Sequence, residues 1–390
     1  METNKHELSR RKFVKSSVLT GIGAILASQS NGAINSLTGF AKPATNIGEA
    51  LKYARNSKSM PGLFPGKVAE VLHTGSVKEK KISIDIVNDM LTKGMLELTG
   101  TKKIEKAWSM FVKPGEKIGL KVNPVAGKDL STSLEIVKVI ISQLEKSGIS
   151  KNDILIWDRR EFEMHEVGFN AGNFPGVKII GTECKDEKGS FVDASGKLYG
   201  EERIDKNWFY WADVEGKYDA ETLPYMVNEG KNSYFSKICT QMVDKIINIP
   251  ILKNAGASVT LCLKNLAYGA VSNTGRLHEQ LWADTCAEVC AFPQIRDKVV
   301  LNIVDGLIGC YQGGPAANPQ FITNFNTILV GTDAVAVDRI GYEIILKKRM
   351  EENIQKEESP RGRTFLDMAE KLQLGVADIK KIDLKKIKLG

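Results

Sequence analysis

Lys117-Ile-Gly-Leu-Lys121-Val-Asn123, the trio Ser131-Thr132-Ser133 and Ile154-Leu-Ile-Trp157-Asp158-Arg159 together decide the fold. The first is a short apolar run that closes on polar residues. The trio offers side-chain oxygens to the free N–H groups of a helix start, and an amphipathic segment follows through residue 143, with Gly148 as its stop. The third is a second short apolar run. A strand, a helix and a strand joined by a crossover of this length predict two parallel strands side by side.

The alternation resumes downstream. Residues 245–252, 299–304 and 327–330 read as strands, and residues 259–266, 277–291 and 334–348 as helices. The predicted fold class is α/β, an open and mostly parallel sheet flanked by helices. Residues 185–235 break the pattern with polar, aromatic and turn-forming residues, including Trp208, Tyr210 and Trp211, and read as an inserted excursion that packs over the sheet or lids it. Residues 42–111 read as an N-terminal helical extension, with amphipathic pattern around 84–98. The α/β domain is expected over 112–385, ending in one helix and a strand-like Lys/Ile stretch.

Of the 390 residues, 42% are hydrophobic and 26% charged, enough for a core of ordinary size. At the N-terminus, Ser9-Arg10-Arg11-Lys12-Phe13 precedes a modest apolar run at 18–27 and the small-x-small site Gly39-Phe40-Ala41. Adjacent arginines, a short apolar core and a cleavage site describe a twin-arginine signal over residues 1–41 rather than a membrane span, which takes about 20 apolar residues. The expected partner in export is the twin-arginine translocase, and the expected location is periplasmic or extracytoplasmic, with no stable span after cleavage. Retention as an anchor is the alternative. The remaining chain carries 49 Lys/Arg against 45 Asp/Glu, a formal +4, with the signs interspersed. No arginine stripe with interleaved aromatics appears, so no nucleic-acid partner is expected.

The informative feature is what closes the strands. Lys121 and Asn123 end one predicted strand, Asp158 and Arg159 a second, Lys253 a third, Asp305 a fourth and Asp333 a fifth. In an open parallel sheet such ends share one edge, and ligands bind in the crevice outside it. Any single end is polar simply because loops are; five together point to one site. Lys121, Lys253 and Lys264 are point cations suited to a carboxylate or phosphate. With Asn123, Arg159, Asn265 and Asp333 they form the expected binding set for a small anion. Asp158, Asp305 and Asp333 can take a proton, pair with those lysines or hold a divalent cation, and His278 is the general acid–base candidate. The expected catalytic set is His278, Asp158 and Asp305.

Six cysteines are present and none forms a C-x-x-C pair, so neither a zinc ribbon nor a ferredoxin-type cluster loop is written here. Cys286 and Cys290 lie one helical turn apart, two turns after His278, and are the candidate metal ligands. Trp282 on the same face fits core packing equally well. The glycine-rich stretch 309–315 lets backbone approach a ligand or makes an ordinary turn. No Walker loop, G-x-S-x-G elbow or H-E-x-x-H pair occurs. Three readings stay open: an enzyme acting on the anion, a redox-linked accessory protein with a metal or iron–sulfur cluster, and a non-catalytic binding protein.

These stretches resemble the domain-of-unknown-function 362 family. The resemblance runs through 117–123 and 154–159, Ile249-Pro-Ile-Leu-Lys253 with Val259-Thr-Leu-Cys-Leu-Lys264-Asn265, Leu277-His278, Ala283-Asp284, Ile303-Val-Asp305-Gly306, Gly313-Gly314-Pro315 and Gly331-Thr-Asp333-Ala-Val-Ala-Val-Asp338. It covers about 112–385. The resemblance implies no settled activity. Some relatives carry an appended ferredoxin-type cysteine motif that this sequence lacks. A histidine usual after the lysine of Ile-Pro-Ile-Leu-Lys is here Asn254, which neither titrates nor ligates a metal well. The opening strand–helix–strand is also similar, as a fold, to lactate racemase.

Overall fold

Ile154, Leu155, Ile156 and Trp157 are all buried because both faces of their strand are covered. Ile154 and Ile156 join Ile118 and Leu120 under the helices Ile84–Thr99 and Leu134–Lys146. Leu155 and Trp157 face the other layer, formed with Cys262–Ala270, Trp282–Ala291 and Ala334–Glu351. The period-two alternation of a strand thus divides the core into two, one on each side of a central sheet. The computed structural model describes residues 42–215, 230–255, 258–354 and 362–390; the expected export segment, 1–41, lies outside them.

The strands are β1 (Lys67–Leu72), β2 (Val77–Lys78), β3 (Lys81–Ile82), β4 (Ile118–Lys121), β5 (Ile154–Arg160), β6 (Lys178–Glu183) and β7 (Ile204–Trp211). They continue with β8 (Asn232–Ser236), β9 (Lys245–Asn248), β10 (Ile251–Ala255), β11 (Ser258–Thr260), β12 (Val299–Cys310), β13 (Ile322–Gly331) and β14 (Asp383–Lys388). The main sheet runs β14-β1-β13-β12-β9-β4-β5-β6, with β10 and β11 branching from β12. Neighbours from β12 to β6 are parallel, as are β1 and β14. The protein is an α/β fold with a mostly parallel sheet flanked by helices.

Three local features depart from the sequence expectation. β13 runs antiparallel to both β12 and β1. Its link from β12 is the loop 311–321 with one 3-10 turn, shorter than the helical crossover of about a dozen residues that a parallel return takes. Asp333 therefore follows a strand that runs against the parallel set and leaves the sheet away from its C-terminal tips, two residues past Gly331, which registers with Asn302. Second, the run 245–252 is not one strand. Pro250 has no N–H to give a ladder, so the chain steps at Ile249-Pro250, and β10 continues beside the outer half of β12. Third, the stretch 42–111 is more than a helical extension, because β1 is inserted between β13 and β14.

The excursion at 185–235 contains the antiparallel pair β7–β8; its middle, 216–229, lies outside the described residues. Arg276 ties this pair down by donating to the carbonyls of Ala212, Val214 and Lys231 and to the Ser233 hydroxyl, at 2.6–3.0 Å. Among the described residues no helix is long and apolar enough to cross a membrane.

Candidate anion site at the sheet edge

Cross-strand register sets Trp157, Lys121, Asn248 and Asn302 side by side on β5, β4, β9 and β12. Three of these four are polar in an otherwise apolar row, and all are fully buried. The Lys121 ammonium forms an ion pair with Asp158 and donates to the Val122 carbonyl at 2.8 Å and to Asn265 Oδ1 at 3.0 Å. Burial lowers its pKa, and Asp158 opposes that shift. With all three protons engaged, Lys121 is a structural cation rather than an anion holder. The pairing alternative open to Asp158 is the one the structure adopts.

Space for this ion pair comes from Gly269, whose missing side chain would collide with the end of Lys121. Alanine normally favours a helix over glycine by about 1 kcal/mol. Gly269→Ala is nevertheless expected to destabilise the chain by about 1–3 kcal/mol, because the added methyl overpacks a filled site. Urea unfolding reads the sign directly; a stabilised variant would show that Lys121 does not lie there.

From this row a directed chain of amides runs across the sheet. Lys253 Nζ donates to Asn123 Oδ1 (3.1 Å), Asn123 Nδ2 to Asn265 Oδ1 (3.1 Å), and Asn265 Nδ2 to Asn248 Oδ1 (2.8 Å). Asn248 Nδ2 then donates to Asn302 Oδ1 (2.9 Å), and Asn302 Nδ2 to the Thr332 carbonyl (3.1 Å). A buried amide without partners costs a few kcal/mol, so the chain satisfies its members only in this one arrangement. Asn123 and Asn265 are thus framework, holding Lys253 in place. Asn248 and Asn302 escaped the sequence reading; their signal was an asparagine beside the aliphatic residues of each of two predicted strands.

Lys253 and Lys264 differ from Lys121. Lys253 is fully buried, and among the described residues its ammonium has a single hydrogen bond, to the neutral Asn123 amide. Lys264 is 8% exposed and makes no side-chain hydrogen bond or ion pair among the described residues. Its ammonium lies 5.5 Å from the Tyr268 ring and 5.8 Å from the Trp282 ring. Burial, and then the charge of Lys264, pull the Lys253 pKa down to about 7. Burial lowers that of Lys264. The Tyr268 ring flanks Lys264, and its hydroxyl is buried on the side of Thr285.

His278 borders this pair. Its ring is 4.5 Å from that of Tyr268, and Nδ1 lies 3.0 Å from the Thr274 carbonyl. That contact assigns the proton to Nδ1 and leaves the Nε2 lone pair outward. The His278 side chain is exposed to solvent. Desolvation, followed by the Lys264 and Arg159 charges, holds the imidazole down to about 3. His278 is therefore a neutral acceptor near pH 7, not a proton donor. Arg159 donates to the Thr274 hydroxyl at 2.6 Å and lies 3.6 Å from Glu183, which makes it a positioning cation beside the histidine.

The other expected members sit elsewhere. Asp305 accepts from the Ser133 backbone N–H (2.8 Å) and hydroxyl (2.7 Å) and from the Leu307 N–H (3.2 Å), anchoring the start of Leu134–Lys146 to β12. Asp333 accepts backbone N–H groups from Gly66, Val335, Ala336 and Val376, capping Ala334–Glu351. Cys286 and Cys290 are buried, and desolvation raises both thiol pKa values, so they stay protonated and pack as apolar groups. Among the described residues no group of three or more His, Cys, Asp and Glu side chains could hold a metal ion.

The fold and this edge define an α/β domain in which two buried lysines, Lys253 on β10 and Lys264 on the helix Cys262–Ala270, have no carboxylate partner among the described residues. Within it, residues 215–343 match the family model described as a domain of unknown function (DUF362). That stretch carries Lys253, Lys264, Asn265 and His278 but not Lys121 or Asp158. No curated protein matches the chain. A crystal structure of a Thermotoga maritima protein, solved as a structural-genomics target, is similar at 10% identity and a TM-score of 0.36, over 68% of this chain and 59% of that one. The chain thus spans less than two thirds of that neighbour's length.

Proposed function

We propose that this edge binds a small oxyanion or carboxylate between Lys253 and Lys264. In this reading the likeness to the 362 family extends over 112–385, and residues 1–41 address the chain to the twin-arginine translocase and an extracytoplasmic location. One observation supports the binding site: two buried ammonium groups have no carboxylate partner among the described residues. Leaving a charge buried and unpaired costs several kcal/mol, and an anionic ligand removes that cost. Titratable groups displaced this far from their ordinary values gather at functional sites. His278 Nε2 adds a neutral acceptor for the uncharged part of the ligand.

The pH dependence follows from Lys253. In the empty protein its pKa falls from 10.5 to about 7. The unfolded chain then holds a proton between those values that the folded chain lacks, so the stability contribution present above pH 10.5 is lost as pH falls toward 7. Anion binding has the opposite slope, because it needs the charged form. Calorimetric titration of phosphate, sulfate and short carboxylates should show saturable binding that weakens by up to about tenfold per pH unit above 7, with proton uptake. Absence of saturable binding by any of these anions removes the reading. The address is tested separately: cell fractionation should show export lost when Arg10 and Arg11 are both replaced by lysine.

A further inference from the structure

We propose that Lys253 works covalently, its Nζ adding to the carbonyl carbon of a small oxo acid whose carboxylate rests against Lys264, to give an imine. This inference rests on the anion site proposed above and names its substrate class. The contrast between two lysines at the same edge carries it. Lys121 has every proton engaged, by Asp158, Val122 and Asn265, and so is fixed as an ammonium. Among the described residues Lys253 has one acceptor only, a neutral amide 3.1 Å away, and no ion pair. Its neutral form keeps that bond as a donor and leaves the nitrogen lone pair for attack. The chain Lys253–Asn123–Asn265 fixes the amine two hydrogen bonds from the residue that adjoins Lys264. A second cation beside a desolvated lysine is an arrangement that activates amines, and the lowered pKa of Lys253 agrees with it.

The step balances without a cofactor. Nitrogen attacks the carbonyl carbon and forms a C–N bond; the carbonyl π electrons become an alkoxide, which takes one amine proton to give a carbinolamine. Loss of the hydroxyl with the second amine proton yields the imine and one water. The His278 Nε2 lone pair, whose ring adjoins the Tyr268 ring that flanks Lys264, is the group assigned to pass these protons.

The test uses the full chain with pyruvate as the probe and cyanoborohydride to reduce any imine, read by intact mass and peptide mapping. The expected result is one reduced pyruvyl group, on Lys253. It should be absent in Lys253→Arg, which keeps a cation but cannot form the imine, and about ten- to a hundredfold slower in Lys264→Gln, which loses the carboxylate's partner. L-Lactate has the same carboxylate and no carbonyl, so it should protect Lys253. Lactate binding measured by calorimetry without any pyruvyl adduct overturns the imine and leaves the anion site standing. No adduct and no lactate binding overturns both. Labelling spread over surface lysines, equal in Lys264→Gln, also overturns the imine.

Discussion

Lys121→Met is expected to cost the fold about 3–5 kcal/mol in urea unfolding at pH 7, because it leaves the Asp158 carboxylate buried and unpaired. The Asp158 side chain is 6% exposed, and its ammonium partner is replaced by an apolar chain of similar length. The Asn265 Oδ1 acceptor and the Val122 carbonyl lose the same donor. Replacing the acid as well, in Lys121→Met with Asp158→Leu, should recover most of that loss, since a buried ion pair exchanged for apolar groups is often nearly neutral. The recovery is the decisive part. A double variant as unstable as the single one would show that the cost arises from packing around Gly269 and Trp157, not from an orphaned charge.

Lys264→Gln should behave in the opposite way. Anion affinity is expected to fall about ten- to a hundredfold, the value of one charge-assisted hydrogen bond. Stability should be unchanged within about 1 kcal/mol, or rise, because an unpaired buried ammonium is removed while a cation–π contact worth about 0.5–2 kcal/mol is lost. Calorimetry and urea unfolding on the same preparation separate the two effects. Loss of folding together with loss of binding would mark Lys264 as a structural residue and deprive the site of its main cation. Gain of stability with loss of function is the trade expected of a binding group held against its own solvation.

Much of this architecture could be read from local pattern. The spacing of Lys117–Val122, the serine and threonine caps and Ile154–Trp157 specified a parallel pair, and β4 and β5 are parallel neighbours. Lys121, Asn123, Asp158 and Lys253 were drawn together by their places after apolar runs, and with Asn265 they form one hydrogen-bonded cluster. Three things were not readable. The direction of β13 depends on the connection after β12, and the sequence showed neither that β12 continues to Cys310 nor that β13 begins at Ile322. Asp333 follows an apolar run and so resembled a rim residue, but a helix-capping aspartate has the same local sequence. The division of labour among three lysines was invisible because it depends on partners far away in the chain: Asp158 saturates Lys121, and no acid among the described residues does so for Lys253 or Lys264.

The most direct test of the central claim is a crystal structure of the chain with selenate, phased on the selenium edge. The account predicts one strong anomalous peak within hydrogen-bond distance of both Lys253 Nζ and Lys264 Nζ, with Lys121 still paired to Asp158. A peak on Lys121, or selenate confined to the molecular surface with both buried ammonium groups untouched, would contradict it.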